Sequence, residues 1–149
     1  MGEIEVEMLA NLAPETVRNF LQLAAAGLYD DTPFHRVVPG FVIQTGSPTH
    51  RQTPLTQKQA ALIKTLQPEF TDTPNVPGIL SMARGADPAS ATTSFFICTG
   101  ECRTLDNQYA VFARVVRGMD VVTAIGAVPV DGETPTTTVV VRRVVVRIG

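Results

Sequence analysis

No stretch of this 149-residue sequence approaches the ~20 consecutive apolar residues that a membrane-spanning helix requires. The sequence also lacks a basic cluster, because its 12 Lys and Arg residues are scattered among 14 Asp and Glu residues and the formal net charge is -2. Proteins that bind nucleic acid usually gather basic residues into a patch. We therefore expect a soluble protein with neither a membrane nor nucleic acid as its main partner. A monomer and a cytoplasmic location are the default expectations, and a targeting segment upstream of Met1 stays open as an alternative.

The signatures of several common catalytic sites are absent as well. There is no G-x-S-x-G turn, no H-E-x-x-H helix and no glycine-rich phosphate loop. Cys98 and Cys102 form a C-x3-C pair, but His35 and His50 are not spaced as metal ligands, so we predict no metal site. A disulfide stays open, although Cys98 follows an apolar run and fits a small, free, buried side chain.

The first half of the chain changes between strand-like and helix-like patterns. Residues 3–9 alternate apolar and acidic side chains, which predicts a half-buried strand. Residues 14–27 carry an apolar stripe at helical spacing, with a proline suited to the first turn and a glycine suited to the C-terminal cap. Residues 34–38 and 41–45 predict two strands, and the Pro39-Gly40 pair between them predicts a turn.

The second half begins with a proline-rich segment. Residues 46–78 predict a long loop with one helix-compatible piece at 57–66. Further strands are predicted at 79–83, 95–99, 110–116 and 137–148, with a short amphipathic helix around Val121, Val122 and Ile125. Many strands, two helices and no β-α-β rhythm favour one domain over residues 1–149, built as an antiparallel barrel whose ends the helices plug.

Several segments, in order along the chain, resemble the cyclophilin family of peptidyl-prolyl isomerases. They are APETVRNF at 13–20, FHRVVPGFVIQ at 34–44, GILSMAR at 78–84, FFICT at 95–99, LD at 105–106, VF at 111–112 and GMDVV at 118–122. The resemblance implies a mainly β fold, a closed eight-stranded antiparallel barrel capped by two α-helices. It also implies an enzyme that binds proline-containing peptides and unfolded or folding proteins, and rotates the X-Pro bond without a cofactor.

The same resemblance implies roles for individual residues. Arg36 is the expected catalytic donor, although an arginine on a strand is more often solvated or half of a surface ion pair. The motif around Arg36 is what favours catalysis. In the implied site, the slot for the proline ring is lined by Phe41, Val42, Phe96 and Leu105, and Tyr109 lies on its rim. The peptide main chain is held by Gln44 and by the backbone of Ala83, Arg84 and Gly85.

Strand alternation separates neighbouring side chains within this motif. Phe95 and Phe96 point to opposite faces of one strand, so we assign Phe96 to the site and Phe95 to the core. By the same rule His35 points away from Arg36. We therefore expect an interior histidine with satisfied hydrogen bonds rather than a general base.

Five positions depart from the residues that many cyclophilins carry. Val42, Arg84, Ser94, Thr104 and Tyr109 stand where Met, Asn, Gln, Trp and His are usual, and we expect all five around one pocket. Because Thr104 lacks the large apolar surface and indole donor of tryptophan, we expect weak binding of cyclosporin. The departures keep a second hypothesis open, a cyclophilin-fold module that binds proline peptides with little turnover. A third hypothesis is a thiol switch formed by the two cysteines.

Overall fold

The computed structural model describes residues 1–148, in which one six-stranded sheet carries most of the core. Within this range the α-helices are α1 (Pro14–Ala25), α2 (Gln57–Ala61) and α3 (Met119–Gly126). The strands are β1 (Glu5–Met8), β2 (Thr32–Pro33), β3 (Arg36–Val38), β4 (Val42–Thr45), β5 (Ile79–Met82), β6 (Phe95–Cys98), β7 (Val111–Arg117), β8 (Val130–Asp131), β9 (Thr134–Pro135) and β10 (Val140–Val141). Gly149, the last residue of the predicted domain, lies outside the described residues. Of the helices in the described range, none is long and apolar enough to cross a membrane.

Helix α1 confirms the predicted apolar stripe. Val17, Phe20 and Leu23 lie on one face and are buried. Phe20 belongs to a cluster of aromatic rings whose centroids lie 5.0 to 6.0 Å apart. The helix gives way to Gly27, whose φ of +76° is a left-handed conformation that glycine adopts without steric cost.

The N-terminus of α1 is capped from a distant loop. Ala13 occupies the N-cap position and supplies no side-chain hydrogen bond. Instead the Glu69 carboxylate accepts hydrogen bonds from the backbone N–H groups of Glu15 at 3.2 Å and Thr16 at 2.7 Å. Its negative charge is also favoured by the helix dipole. Glu69 therefore fastens the loop of residues 46–78 to the helix.

Helix α2 lies inside that same loop and is shorter than the predicted 57–66. Thr56 and Gln59 form a reciprocal capping box at its start. The Gln59 side chain also donates to the Ala26 carbonyl at 2.9 Å, and Arg51 donates to the Gly27 carbonyl at 3.2 Å. The first bond satisfies a carbonyl group that the end of α1 leaves without a helical partner, and the second holds the residue that follows the C-cap.

The main sheet runs in the order β1-β7-β5-β6-β4-β3, and every neighbouring pair is antiparallel. Helix α1 packs against β7, whereas α3 packs against β3 and β4. Side chains of both helices join the main core. The buried Val121, Val122 and Ile125 confirm the predicted amphipathic helix.

The predicted closed eight-stranded barrel capped by two α-helices is wrong, although the mainly β class is confirmed. Within residues 1–148 the main sheet has six strands and stays open, because its edge strands β1 and β3 do not pair with each other. Strands β2 with β10 and β8 with β9 form separate two-stranded sheets. Pro33 and Pro135 lie in these short strands and lack the N–H group that would extend a ladder. Helix α2 brings the helices to three.

The predicted strand over residues 137–148 is largely wrong. Only Val140–Val141 pairs in a ladder, with β2. Elsewhere the segment is held by single bonds, since Phe34 N–H donates to the Val139 carbonyl at 2.9 Å and Val144 N–H donates to the Asp30 carboxylate at 3.0 Å. Dense β-branched side chains favour an extended backbone, but a ladder also needs a partner strand of matching length.

Candidate active site

Three polar and aromatic side chains form a row across neighbouring strands. The register places Arg36 on β3 opposite Gln44 on β4, and Gln44 opposite Phe96 on β6. Directly opposed residues of antiparallel strands point to the same face of a sheet. The register therefore brings these three side chains together although Phe96 is 60 residues from Arg36 in the sequence.

The other face of the same strands belongs to the core. Val37, Ile43 and Ile97 alternate with the row and are buried in the main core cluster. Phe95 lies in that cluster too, whereas Phe96 lies in a smaller one with Val42. One face of the sheet thus supports the site, and the opposite face holds the fold together.

A hollow of about 260 Å³ opens over the row. Its lining residues are Arg36, Phe41, Val42, Gln44, Ala83, Arg84, Phe96, Leu105 and Tyr109. Of the residues predicted for the site, Gly85, Ser94 and Thr104 are not part of this lining. The Ser94 carbonyl accepts the Ala83 N–H at 2.9 Å, and the Thr104 carbonyl accepts the Gln108 side chain at 2.8 Å.

The Arg36 guanidinium is fixed by two partners. Its Nε and Nη2 atoms donate to the two carboxylate oxygens of Glu133 at 3.1 and 3.4 Å, and its Nη1 atom donates to Gln44 Oε1 at 3.3 Å. Such a two-pronged contact fixes orientation as well as position. Glu133 was not expected from the sequence, because it lies 97 residues from Arg36 and belongs to no motif.

Phe41 reaches the hollow from the β3–β4 turn. Gly40, with a φ of +72°, forms this turn, and Phe41 N–H donates to the Val38 carbonyl at 3.0 Å. The Phe41 carbonyl accepts the Thr99 N–H at 2.8 Å. A side chain at Gly100 would collide with the backbone of Gly40, so a glycine is needed where these two loops meet.

Cys98 and Cys102 form a disulfide beside the hollow. Both residues are fully buried and pack in one cluster with Val42 and Phe96. Of the alternatives that the sequence leaves open, the disulfide is the one present. The burial predicted for Cys98 is confirmed, and its prediction as a free thiol is wrong.

A polar network holds the turn that carries Leu105. Asp106 Oδ1 accepts the Asn75 N–H at 2.7 Å, and the buried Ser81 hydroxyl donates to Asn75 Oδ1 at 2.9 Å. The Asn75 N–H and the Arg103 guanidinium hold the pKa of the Asp106 carboxyl below its usual range. The ionised carboxylate therefore anchors Leu105 to the sheet at one side of the hollow.

Comparison with known proteins identifies this arrangement. The family model described as cyclophilin type peptidyl-prolyl cis-trans isomerase/CLD matches residues 1–146. The chain belongs to the cyclophilin family. The peptidyl-prolyl cis-trans isomerase of Acinetobacter baylyi is 38% identical over 135 residues, which cover 87% of this chain and 69% of that protein. Peptidyl-prolyl cis-trans isomerase-like 3 of Dictyostelium discoideum is 36% identical over 133 residues, with 88% and 80% covered.

Solved cyclophilin structures share the fold. A cyclophilin type peptidyl-prolyl cis-trans isomerase of Cryptosporidium parvum, crystallised in the presence of the dipeptide Ala-Pro, superposes with a TM-score of 0.86 at 25% identity, covering 99% of this chain and 94% of that chain. The predicted family and its class of enzyme, peptidyl-prolyl cis-trans isomerase, are therefore confirmed. Proline-containing peptides are the ligand class of this family.

Two rim residues stack beside the hollow. Tyr109 meets the Phe96 ring edge-to-face, with centroids 5.4 Å apart. Arg84 lies over the Tyr109 ring, with Cζ 4.6 Å from its centroid. Both line the hollow, and both are among the five positions for which the resemblance implies a departure from many cyclophilins.

The two histidines lie outside the hollow but contact each other. Their rings stack with centroids 4.4 Å apart, although His35 and His50 are distant in sequence. His35 Nδ1 is buried without a hydrogen-bond partner in the described chain. The prediction that the hydrogen bonds of this histidine are satisfied is therefore wrong. Burial, then the neighbouring His50 and Arg36, lower the pKa of His35 to about 4, which keeps the ring neutral at pH 7. Nowhere in residues 1–148 do three potential metal ligands cluster.

Proposed function

We propose that this cyclophilin rotates X-Pro bonds in peptides and in unfolded or folding proteins, with Arg36 acting on the prolyl nitrogen. Amide resonance sets a barrier of about 18–20 kcal/mol for this rotation. The barrier falls when the nitrogen lone pair leaves conjugation and is stabilised by a donor. The observation that carries the proposal is the Arg36 guanidinium facing a hollow lined by Phe41 and Phe96.

Arg36 has the donors that this step requires. A guanidinium has five N–H groups, and three are engaged by Glu133 and Gln44. The remaining two are available to a ligand. A positioned charge is most effective when its orientation is set before the reaction, because no energy is then spent on reorganisation. Lowering the barrier by about 7 kcal/mol corresponds to an acceleration of about 10^5.

The remaining lining residues supply binding. In this proposal Phe41, Val42, Phe96 and Leu105 grip the proline ring while the preceding carbonyl turns. Gln44 and the backbone of Ala83 hold the peptide main chain. The contacts predicted for Gly85, Ser94 and Thr104 stay predictions.

The test is a protease-coupled isomerisation assay on an Ala-Pro tetrapeptide with wild-type protein, Arg36→Ala and Arg36→Lys. Loss of one preorganised donor is expected to lower kcat/KM by about 10²–10³-fold in Arg36→Ala. Arg36→Lys keeps the charge but loses the planar fork, so an intermediate rate is expected. Equal rates for Arg36→Ala and wild type would remove Arg36 from the mechanism.

The same experiment separates catalysis from binding alone. If the wild-type protein binds the tetrapeptide saturably but does not accelerate its isomerisation, the binding-module hypothesis is favoured. That hypothesis is suggested by the changed rim at Arg84 and Tyr109. Cyclosporin binding provides a second comparison. We propose weak affinity because Thr104 offers little apolar surface, and a nanomolar dissociation constant from a titration would contradict this.

A further inference from the structure

Arg84 lies two residues after the end of β5 and lines the same hollow as Arg36. In the sheet order, β4 and β6 separate β5 from β3. Three strand spacings of about 4.8 Å place β5 about 14 Å from β3. An extended peptide covers this distance in about four residues. A peptide that runs across the hollow with its proline near Arg36 would therefore reach Arg84 within about four residues.

The Arg84 side chain is held in place before any ligand arrives. Its Nε and Nη2 atoms donate to the Gln108 carbonyl at 3.0 and 2.9 Å, and Nη1 donates to the Gly85 carbonyl at 2.9 Å. The guanidinium also contacts the faces of two aromatic rings, with Cζ 4.6 Å from the Tyr109 centroid and 5.8 Å from the Phe70 centroid. These bonds use three of its five N–H groups, so two remain for a ligand.

The two arginines of the hollow differ in charge balance. Arg36 is paired with the Glu133 carboxylate. For Arg84, no carboxylate of residues 1–148 lies within the 4.0 Å that defines an ion pair. Its partners are neutral carbonyl groups and aromatic rings, which orient the charge without cancelling it. The hollow therefore carries one uncompensated positive charge near the path of the peptide.

We propose that Arg84 makes this cyclophilin select peptides with an acidic residue close to the proline, through a charge-assisted contact with the Asp or Glu side chain. This inference rests on the proposed function, because it places the peptide across the hollow. A half-exposed ion pair of this kind is worth about a three- to fivefold preference. The preference weakens as salt screens the charge.

The experiment compares matched peptides in which Glu or Gln occupies each of the four positions before and the four after the proline. Isomerisation is followed by NMR exchange spectroscopy, which needs no protease and tolerates any sequence. At one position the wild-type ratio of kcat/KM for Glu over Gln is expected to reach about three to five. Arg84→Gln should bring that ratio to about one, and Arg84→Lys should retain part of it.

Arg117→Gln is the matched control, because it removes one positive charge at the far strand pair β1–β7 and should keep the wild-type ratio. The inference is overturned if the wild-type ratio is one at every position, or if Arg84→Gln preserves the ratio. In either case, fast turnover of all peptides would still support the proposed isomerase function. Absence of turnover with every peptide would count against the proposed function. The ratio of Glu to Gln dissociation constants, measured by NMR titration, would then decide the inference.

Discussion

The Cys98–Cys102 disulfide permits a quantitative test of how the hollow is supported. Both cysteines are fully buried and pack against Val42 and Phe96, which line the hollow. Reduction breaks the covalent bond and leaves two thiols that need more separation than a bonded pair. The loop of residues 98–102 must therefore move, and the walls packed on it lose support.

The expected loss of stability follows from the size of the loop. The cysteines are four residues apart in the sequence, so the bond closes a loop of about five residues. In the chain-entropy description this small loop contributes about 2 kcal/mol to the free energy of unfolding. For a domain of this length the corresponding fall in Tm is about 4–8 °C.

Urea denaturation of the oxidised and the reduced protein measures this difference, with thiol titration to establish that both cysteines are free. Cys98→Ala/Cys102→Ala provides a variant that cannot reoxidise. Isomerase activity is measured in parallel, because the packing of Val42 and Phe96 against the disulfide predicts a lower kcat/KM after reduction. Blocking the thiols then distinguishes a reversible thiol switch from irreversible damage. Identical unfolding midpoints for fully reduced and oxidised protein would refute the reasoning.

Single substitutions test three other contacts. Glu133→Gln is expected to lower kcat/KM by about three- to tenfold because Arg36 loses its two-pronged partner, and wild-type rates in the tetrapeptide assay would contradict this. Glu69→Ala is expected to lower the free energy of unfolding by about 1 kcal/mol, as for other helix caps. Urea titration measures it, with exposed Glu101→Ala as control, and equal losses in both variants would exclude the cap. Stability is also expected to fall as the pH falls from 6.5 toward 4, because the pKa of His35 is 6.5 when unfolded and about 4 when folded, so the unfolded chain gains the proton first. His35→Asn should flatten this slope, and an unchanged slope would assign the effect to another group.

The local elements could be predicted from the sequence because their causes are local. The helix at 14–27 and the strand at 95–99 each follow from the spacing of neighbouring apolar side chains, and α1 and β6 are present there. The same spacing assigns Phe95 to the core. The prediction of a strand over residues 137–148 is largely wrong because the ladder depends on β2, a partner distant in sequence that offers only two residues.

The residues of the hollow could be predicted from the sequence mainly through the resemblance to the cyclophilin family. Arg36, Gln44 and Phe96 each have ordinary structural explanations when considered alone, and the antiparallel register that brings them together is a property of three strands. The sequence carries no comparable signal for Glu133 or for the Glu69 cap. Both act across separations of more than 50 residues through single side-chain contacts.

The hairpin of β8 and β9 fixes the orientation of Arg36 and does not extend the main sheet at β3. Strands β8 and β9 are two residues each, joined by a tight turn that contains Glu133. Because this hairpin is too short to pair along β3, its turn meets β3, and the Glu133 carbonyl accepts the Val37 N–H at 2.7 Å. The Glu133 carboxylate then contacts Arg36 on the neighbouring position of the same strand. A longer strand in this place would extend the sheet toward closure, but it would present its own N–H and C=O groups to β3 rather than a turn carboxylate. The short hairpin that orients the proposed catalytic arginine is therefore also one reason why the main sheet is not extended at β3.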